Sequence, residues 1–314
     1  MPEMKPSRDG YGLGLVDLGE KDERVVVLGA DLTSSTRANW FKDKFPDRFF
    51  STGIAEANMT NIAAGLSLVG RIPFVCTYGV FVAGRAWDQV RTTVCYANLN
   101  VKLGGAHGGI SVGPDGATHQ ALEDIALMRC LPNMTVVVAC DAVETRKATV
   151  AIGEMHGPAY VRFGREPIPV ITDDATPFTL GKAETFRDGS DLSIIACGYM
   201  VGEALTAAET LDKEDKVSAR VINLHTVKPI DREAIAKAAS ETGAIVAAEE
   251  HQVMGGFGSA VAEVVTAESP VPMRFVGIQY RFGESGEPEE LLDECGCTAR
   301  FIVDAAREAL KQKK

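Results

Sequence analysis

An α/β chain of two doubly wound domains is what this sequence predicts, and three observations lead there. Short runs that are apolar throughout recur along the 314 residues, the stretches between them carry helical spacing, and one break rich in proline and glycine divides the series. Runs without polar alternation suit strands buried on both faces of a parallel sheet, and helices are the crossovers such a sheet requires. At ~150 residues per domain, this length holds two packed domains.

Taken in order, the predicted strands are Val25–Leu28, Val101–Leu103, Thr135–Val138 and Ala159–Phe163, then Leu192–Ile195, Val217–Val221, Ile245–Ala247 and Met273–Val276. Helical spacing is read over Ala55–Val69, Trp87–Tyr96, Ala121–Arg129, Glu144–Met155, Val201–Leu211 and Asp231–Ala239, with an amphipathic closing helix over Thr298–Leu310. Between Pro167 and Lys182 the helical period is lost among Pro169, Pro177 and Gly181. The linker is placed there, giving domains of residues 1–172 and 180–314. No period of 20 to 50 residues recurs, so a solenoid is excluded.

Composition narrows the function classes. The apolar fraction of 46% and charged fraction of 24% are those of a folded globular protein. A net charge of −11, with clustered lysine only at Lys311–Lys314, gives no footprint for nucleic acid or anionic lipid. The charge-free stretch Ala57–Gly70 falls short of the ~18 residues a membrane span needs, and the charged start is no signal peptide, so a cytoplasmic location is expected. Seven cysteines, an odd count set mostly in apolar runs, read as reduced small hydrophobes, and Cys295-Gly296-Cys297 has no second pair to complete a zinc site.

The densest chemical signal is the segment from Gly104 to His119, with six glycines among sixteen residues directly after a predicted strand. Glycine lets a backbone approach a ligand closely, and open α/β sheets bind ligands beyond the carboxyl ends of their strands. Within the segment lie His107, Asp115 and His119. Gly53-Ile54-Ala55-Glu56 puts a carboxylate at the first turn of a helix, where the dipole alone would stabilise it. Thr77-Tyr78-Gly79-Val80-Phe81 sets two aromatics three residues apart.

The order of these pieces decides more than any one of them. Asp31-Leu32-Thr33, then Gly-Ile-Ala-Glu, then Thr-Tyr-x-x-Phe, then Gly-x-Asp-Gly-x-Thr-His-Gln resembles the pyrimidine-binding domain of the transketolase family of thiamine diphosphate enzymes. The second block, with Leu224 to Asp231 and Glu249-Glu250-His251 followed by Gly255-Gly256-Phe257-Gly258, resembles that family's carboxyl-terminal domain. Together they resemble the carboxyl-terminal subunit of a split, two-chain transketolase.

The resemblance implies roles position by position. Glu56 matches the glutamate that hydrogen-bonds the cofactor's aminopyrimidine ring and promotes its imino tautomer. Phe81 and Tyr78 match aromatics packed on that ring, Leu32 and Ile54 match residues holding the cofactor in its bent form, and Asp31 is implied as a further cofactor-binding residue. His107 and His119 resemble the catalytic pair lining the substrate channel, and Asp115 an aspartate that reads a substrate hydroxyl. Arg8, Ser35 and Arg165 match positions gripping the sugar phosphate's terminal anion. His225, His251 and Glu250 read as structural.

Departures from the family pattern are Asn58 for histidine, Gly84 for a third aromatic and Ala117 for proline, and the run Arg85 to Gln89 is closer to deoxyxylulose-phosphate synthases and 2-oxoacid dehydrogenase β subunits. Asp-Gly occurs three times but never after glycine, so the Gly-Asp-Gly motif that holds metal and diphosphate is missing. The resemblance therefore implies thiamine diphosphate and Mg2+, or another divalent cation, held mainly by an amino-terminal partner subunit bearing the diphosphate-binding domain. It implies no metal ligand in this chain, self-association as a dimer within a two-plus-two complex, and ketol transfer between sugar phosphates. The alternatives are a β subunit of a 2-oxoacid dehydrogenase, a deoxyxylulose-phosphate-synthase-like enzyme and, from another class, a non-catalytic assembly subunit.

Overall fold

The computed structural model describes residues 3–313. Its strands are β1 (Met4–Pro6), β2 (Val25–Gly29), β3 (Phe49–Ser51), β4 (Ile72–Tyr78), β5 (Lys102–Ala106), β6 (Thr135–Val138), β7 (Ala159–Arg162) and β8 (Pro167–Pro169), followed by β9 (Glu184–Arg187), β10 (Leu192–Ala196), β11 (Ala219–Asn223), β12 (Thr226–Lys228), β13 (Ile245–Gln252) and β14 (Met273–Ile278). They form a seven-stranded sheet ordered β12-β6-β7-β5-β4-β2-β3 and a five-stranded sheet ordered β14-β13-β10-β11-β9. Within these two sheets all pairings are parallel except β12 on β6 and β9 on β11, and β1 and β8 form a separate antiparallel two-stranded ribbon. The predicted α/β class with two doubly wound sheets is observed, the crossover helices packing on both.

One assignment by sequence blocks is altered. β12 comes from the second block yet pairs with β6 at the edge of the first sheet, Thr226 opposite Val137 and Lys228 opposite Val136. The Lys228 ammonium caps the carbonyls of Arg129 and Leu131 across the same seam. Buried apolar packing is likewise continuous, running from Leu28, Met59 and Val75 to Ile195, Ile222 and Phe257.

Among the elements that escaped the sequence reading or changed, three show why. β4 was not anticipated, since Pro73 interrupts its apolar run, yet it lies between β5 and β2 and is buried along its whole length. Helix Ser7–Lys21 carries four glycines that dilute its pattern, and its packing explains them: a Cβ on Gly10 would stand 1.9 Å from the Ala142 carbonyl oxygen, and one on Gly14 2.6 Å from Thr149. The glycines bring this helix close against Ala142–Glu154. The predicted single helix Trp87–Tyr96 is instead a short α-turn, Trp87–Gln89, flanked by wide π-helical turns at Phe81–Arg85 and Val90–Cys95.

The predicted linker is firmly held. Backbone N–H groups of Ile171 and Thr172 donate to the Asp141 carboxylate at 2.8 and 2.6 Å, and Lys147 binds the carbonyls of Asp173 and Thr176. All seven cysteines are free thiols, six of them buried.

Candidate functional site

Glu56 opens helix Glu56–Leu68, entered through Gly53 at φ +68. Its side chain is only 4% exposed, and Arg85 Nη1 stands 3.3 Å from its Oε1. The turn Phe81–Arg85 makes that approach, closed by a five-residue hydrogen bond from Ala86 N–H to the Phe81 carbonyl. Such widened turns redirect side chains, and they recur at functional positions. From the same turn the Arg85 guanidinium lies 4.0 Å over the Phe81 ring.

Three rings continue from Phe81. Tyr78, the last residue of β4, stacks on Phe81 at 5.5 Å between centroids and on His107 at 3.9 Å, and His119 meets Phe81 and Tyr78 edge-on at 5.4 and 5.8 Å. His107 follows β5 directly and is held at φ +57, a left-handed conformation unusual for a residue with a side chain. Burial, then the nearby guanidinium groups of Arg8 and Arg165, lower its pKa to about 3, so the ring is neutral at ordinary pH. Its Nδ1 is buried without a hydrogen-bond partner. Thr118 Oγ1 lies 2.8 Å from His119 Nδ1.

Beside the imidazoles lies a cationic side. Arg8 donates to the Ser35 carbonyl at 3.2 Å and keeps a buried, unpartnered Nε, while burial and Arg37 lower its pKa. Arg165 pairs with Asp115 at 3.3 Å and with Glu166 at 3.2 Å, and donates to the Val112 carbonyl. The structure thus gathers Glu56, Tyr78, Phe81, His107, His119, Arg8, Ser35, Asp115 and Arg165 along the carboxyl ends of β4, β5 and β7. Leu32 packs against the same apolar core as Tyr78. Asp31 is exposed and Ile54 is 73% exposed, so their side chains face outward from this chain.

The glycine run needs a correction. Its glycines are approached chiefly by the protein's own side chains: a Cβ on Gly104 would meet Tyr11, on Gly105 Tyr160, on Gly108 Arg162, on Gly109 Glu250, on Gly113 Pro288 and on Gly116 Ser285, all within 2.9 Å. Close packing, more than ligand approach, accounts for them, and the first two belong to β5. Beneath lies a buried ion pair, Arg162 with Asp124 at 2.9 Å, whose carboxylate also accepts from the Tyr160 hydroxyl at 2.6 Å.

Arg85 and Arg162 were not singled out from sequence. The i, i+4 spacing of Phe81 and Arg85 was the available signal for the first. Open clefts of about 840 and 950 Å3 lie elsewhere, one along helix Ser7–Lys21 and one between the sheets, and neither includes Glu56, Phe81, His107 or His119. Among the described residues no group of three or more His, Cys, Asp or Glu side chains is placed to hold a metal ion, and no helix is long and apolar enough to cross a membrane.

A buried carboxylate, an aromatic wall, a neutral His107 imidazole and a guanidinium with an uncommitted N–H can together hold a heteroaromatic ring and a polar anion. Comparison with known proteins agrees. Residues 4–170 match the transketolase pyrimidine binding domain and residues 181–302 the transketolase C-terminal domain. Over 306 residues the chain is 44% identical to the 6-deoxy-6-sulfo-D-fructose transketolase subunit SqwH of Clostridium sp. (strain MSTE9), covering 98% of this chain and 95% of that one. It is 43% identical to a putative transketolase C-terminal section from Methanocaldococcus jannaschii, covering 98% of each. A solved split gene transketolase, described as an inactive beta4 tetramer, superposes with a TM-score of 0.92 at 46% identity, covering 98% of this chain and 99% of that one. These matches span both sheets and every segment of the site: the chain belongs to the transketolase family.

Proposed function

We propose that this chain is the carboxyl-terminal subunit of a two-chain transketolase, moving a two-carbon ketol unit from a ketose phosphate to an aldose phosphate with thiamine diphosphate. The observation that carries the proposal is the buried Glu56 carboxylate beside the Phe81–Tyr78–His107–His119 stack. A half-exposed Arg85 is its one ion-pair partner among the described residues, a donor set that suits an aminopyrimidine ring. The cofactor supplies the carbon nucleophile for breaking and making bonds beside a ketone.

In this reading Glu56, His107 and His119 are the catalytic groups. Glu56 holds and gives a proton at a ring nitrogen, Phe81 and Tyr78 wall the ring, and Asp31, Leu32 and Ile54 complete the cofactor surface. His107, neutral through burial, and His119 hydrogen-bond to sugar oxygens. Asp115 reads a hydroxyl, while Arg8, Ser35 and Arg165 bind the terminal anion. Relatives named for 6-deoxy-6-sulfo-D-fructose and apulose-4-phosphate support an anionic sugar as substrate. Residues 1–172 form the pyrimidine-binding unit and 180–314 its support.

Mg2+, or another divalent cation, and the diphosphate fall mainly to an amino-terminal partner. The outward Asp31 and Ile54, and the exposed Leu68, Val69 and Tyr96 of the same domain, support surface covered by other chains in a two-plus-two complex. Net charge supports a cytoplasmic enzyme without nucleic-acid or membrane partners. The test is ketol transfer from xylulose 5-phosphate to ribose 5-phosphate with thiamine diphosphate and magnesium. Activity in the complex purified from the native source, and its loss in the isolated chain, is expected. A cofactor-loaded complex inactive on both sugars overturns the proposal.

A further inference from the structure

The second domain reaches into the site through Glu250, in the latter part of β13. Its Oε1 accepts the Ser111 backbone N–H at 2.7 Å, and a Cβ on Gly109, at φ +101, would come within 2.1 Å of that oxygen. Its own carbonyl accepts from Arg162 Nη2 at 2.9 Å, the guanidinium on which Gly108 packs. Further along, the loop after β14 holds the same segment: Gln120 Nε2 donates to the Glu284 carbonyl at 2.9 Å, while Ser285 and Pro288 close over Gly116 and Gly113. The gripped stretch, residues 108–120, carries Asp115 and His119 and receives Arg165 at the Val112 carbonyl.

We infer that Glu250 is a positioning residue for the sugar substrate. It touches neither cofactor surface nor substrate groups, and acts through Ser111 on the backbone that sets Asp115 and, through Val112, Arg165. The buried carboxylate satisfies a loop N–H that would otherwise be lost to solvent or left unpaired, and it fixes the loop at a point where glycine alone fits. This rests on the ketol-transfer reading for its kinetic consequence, though not for the loop contact itself.

In the complex with the diphosphate-binding partner, Glu250→Ala is expected to raise KM for ribose 5-phosphate about tenfold, with kcat lowered much less. Glu250→Gln keeps an acceptor oxygen and should hold KM within about twofold of the parent. Glu250→Asp withdraws that oxygen by one methylene while leaving the charge, and should repeat the KM rise if the alanine variant fails to fold. In the isolated chain, hydrogen exchange of residues 107–120 should quicken in the aspartate and alanine variants and stay unchanged in the glutamine variant. An unchanged KM in both shortened variants, or faster exchange spread evenly over β13 and helix Phe257–Glu268, overturns the assignment. Absence of ketol transfer in the unaltered complex strikes the enzymatic reading instead, and the exchange measurement still decides whether Glu250 holds the loop.

Discussion

Arg85 Nη1 lies 3.3 Å from Glu56 Oε1, joining a half-exposed cation to a carboxylate that the rest of the fold buries. Burying a carboxylate is costly unless it is paired, so the guanidinium offsets part of that cost from the solvent side. The pair leaves Glu56 inside the apolar wall yet within reach of the surface where a second chain would close the site.

Glu56→Gln preserves size and hydrogen bonding but removes the charge and the exchangeable proton. Turnover should fall by at least ~100-fold, in the range of lost general acid–base groups. Circular dichroism should be unchanged. Substantial activity in this variant would remove Glu56 from its proposed role.

Tyr78 is nearly buried and carries three of the ring contacts, while no hydrogen bond of its hydroxyl figures among them. Tyr78→Phe should therefore stay within about 0.5 kcal/mol of the parent in denaturant titration, and Tyr78→Ala should lose about 3–5 kcal/mol. Equal losses in the two variants would contradict a packing role.

His225 is buried, stacked on Phe178 at 4.2 Å and paired with Thr226 Oγ1 at 2.8 Å, and burial lowers its pKa to about 4. A histidine kept neutral in the fold contributes stability that is full above its unfolded pKa of about 6.5 and drains away as pH falls toward 4. On that shift the contribution is about 2–3 kcal/mol. The melting-temperature advantage of the parent over His225→Gln should shrink between pH 7 and 4.5. Glu144, raised to about 7 by burial, works in the opposite sense but is common to both proteins and cancels in the difference.

Two glycines should respond oppositely to alanine. At Gly10 the new methyl would meet a backbone carbonyl at 1.9 Å, and the helix pair must separate, at a cost of about 1–3 kcal/mol or more. Gly65 sits inside helix Glu56–Leu68 facing open space, so Gly65→Ala should stabilise the isolated chain by about 0.5–1 kcal/mol. Thermal melts of the two variants measure both.

Strands buried on both faces and the amphipathic helices were legible because periodicity records burial directly. β4 was not, because Pro73 masks a strand whose other members are Phe74, Val75 and Cys76, and helix Ser7–Lys21 was not, because its glycines answer a tertiary contact with Ala142 and Thr149 that no local pattern displays. In the site, Glu56, Phe81, His107 and His119 came from motif order. Arg85 depended on the widened turn, and Glu250 on an approach between segments 139 residues apart. Short motifs cannot encode either.

The pairing of β12 with β6 separates two kinds of boundary. The family domains end at 170 and resume at 181, but the hydrogen bonds of the first sheet do not stop there: Val138 N–H is satisfied by the His225 carbonyl at 2.8 Å. A fragment cut at the linker would present β6 as a bare edge, ready to recruit any extended segment nearby. The unit that descent copies is thus shorter than the unit that folds, and the pyrimidine-binding half owes its closed border to residues inherited with the other half.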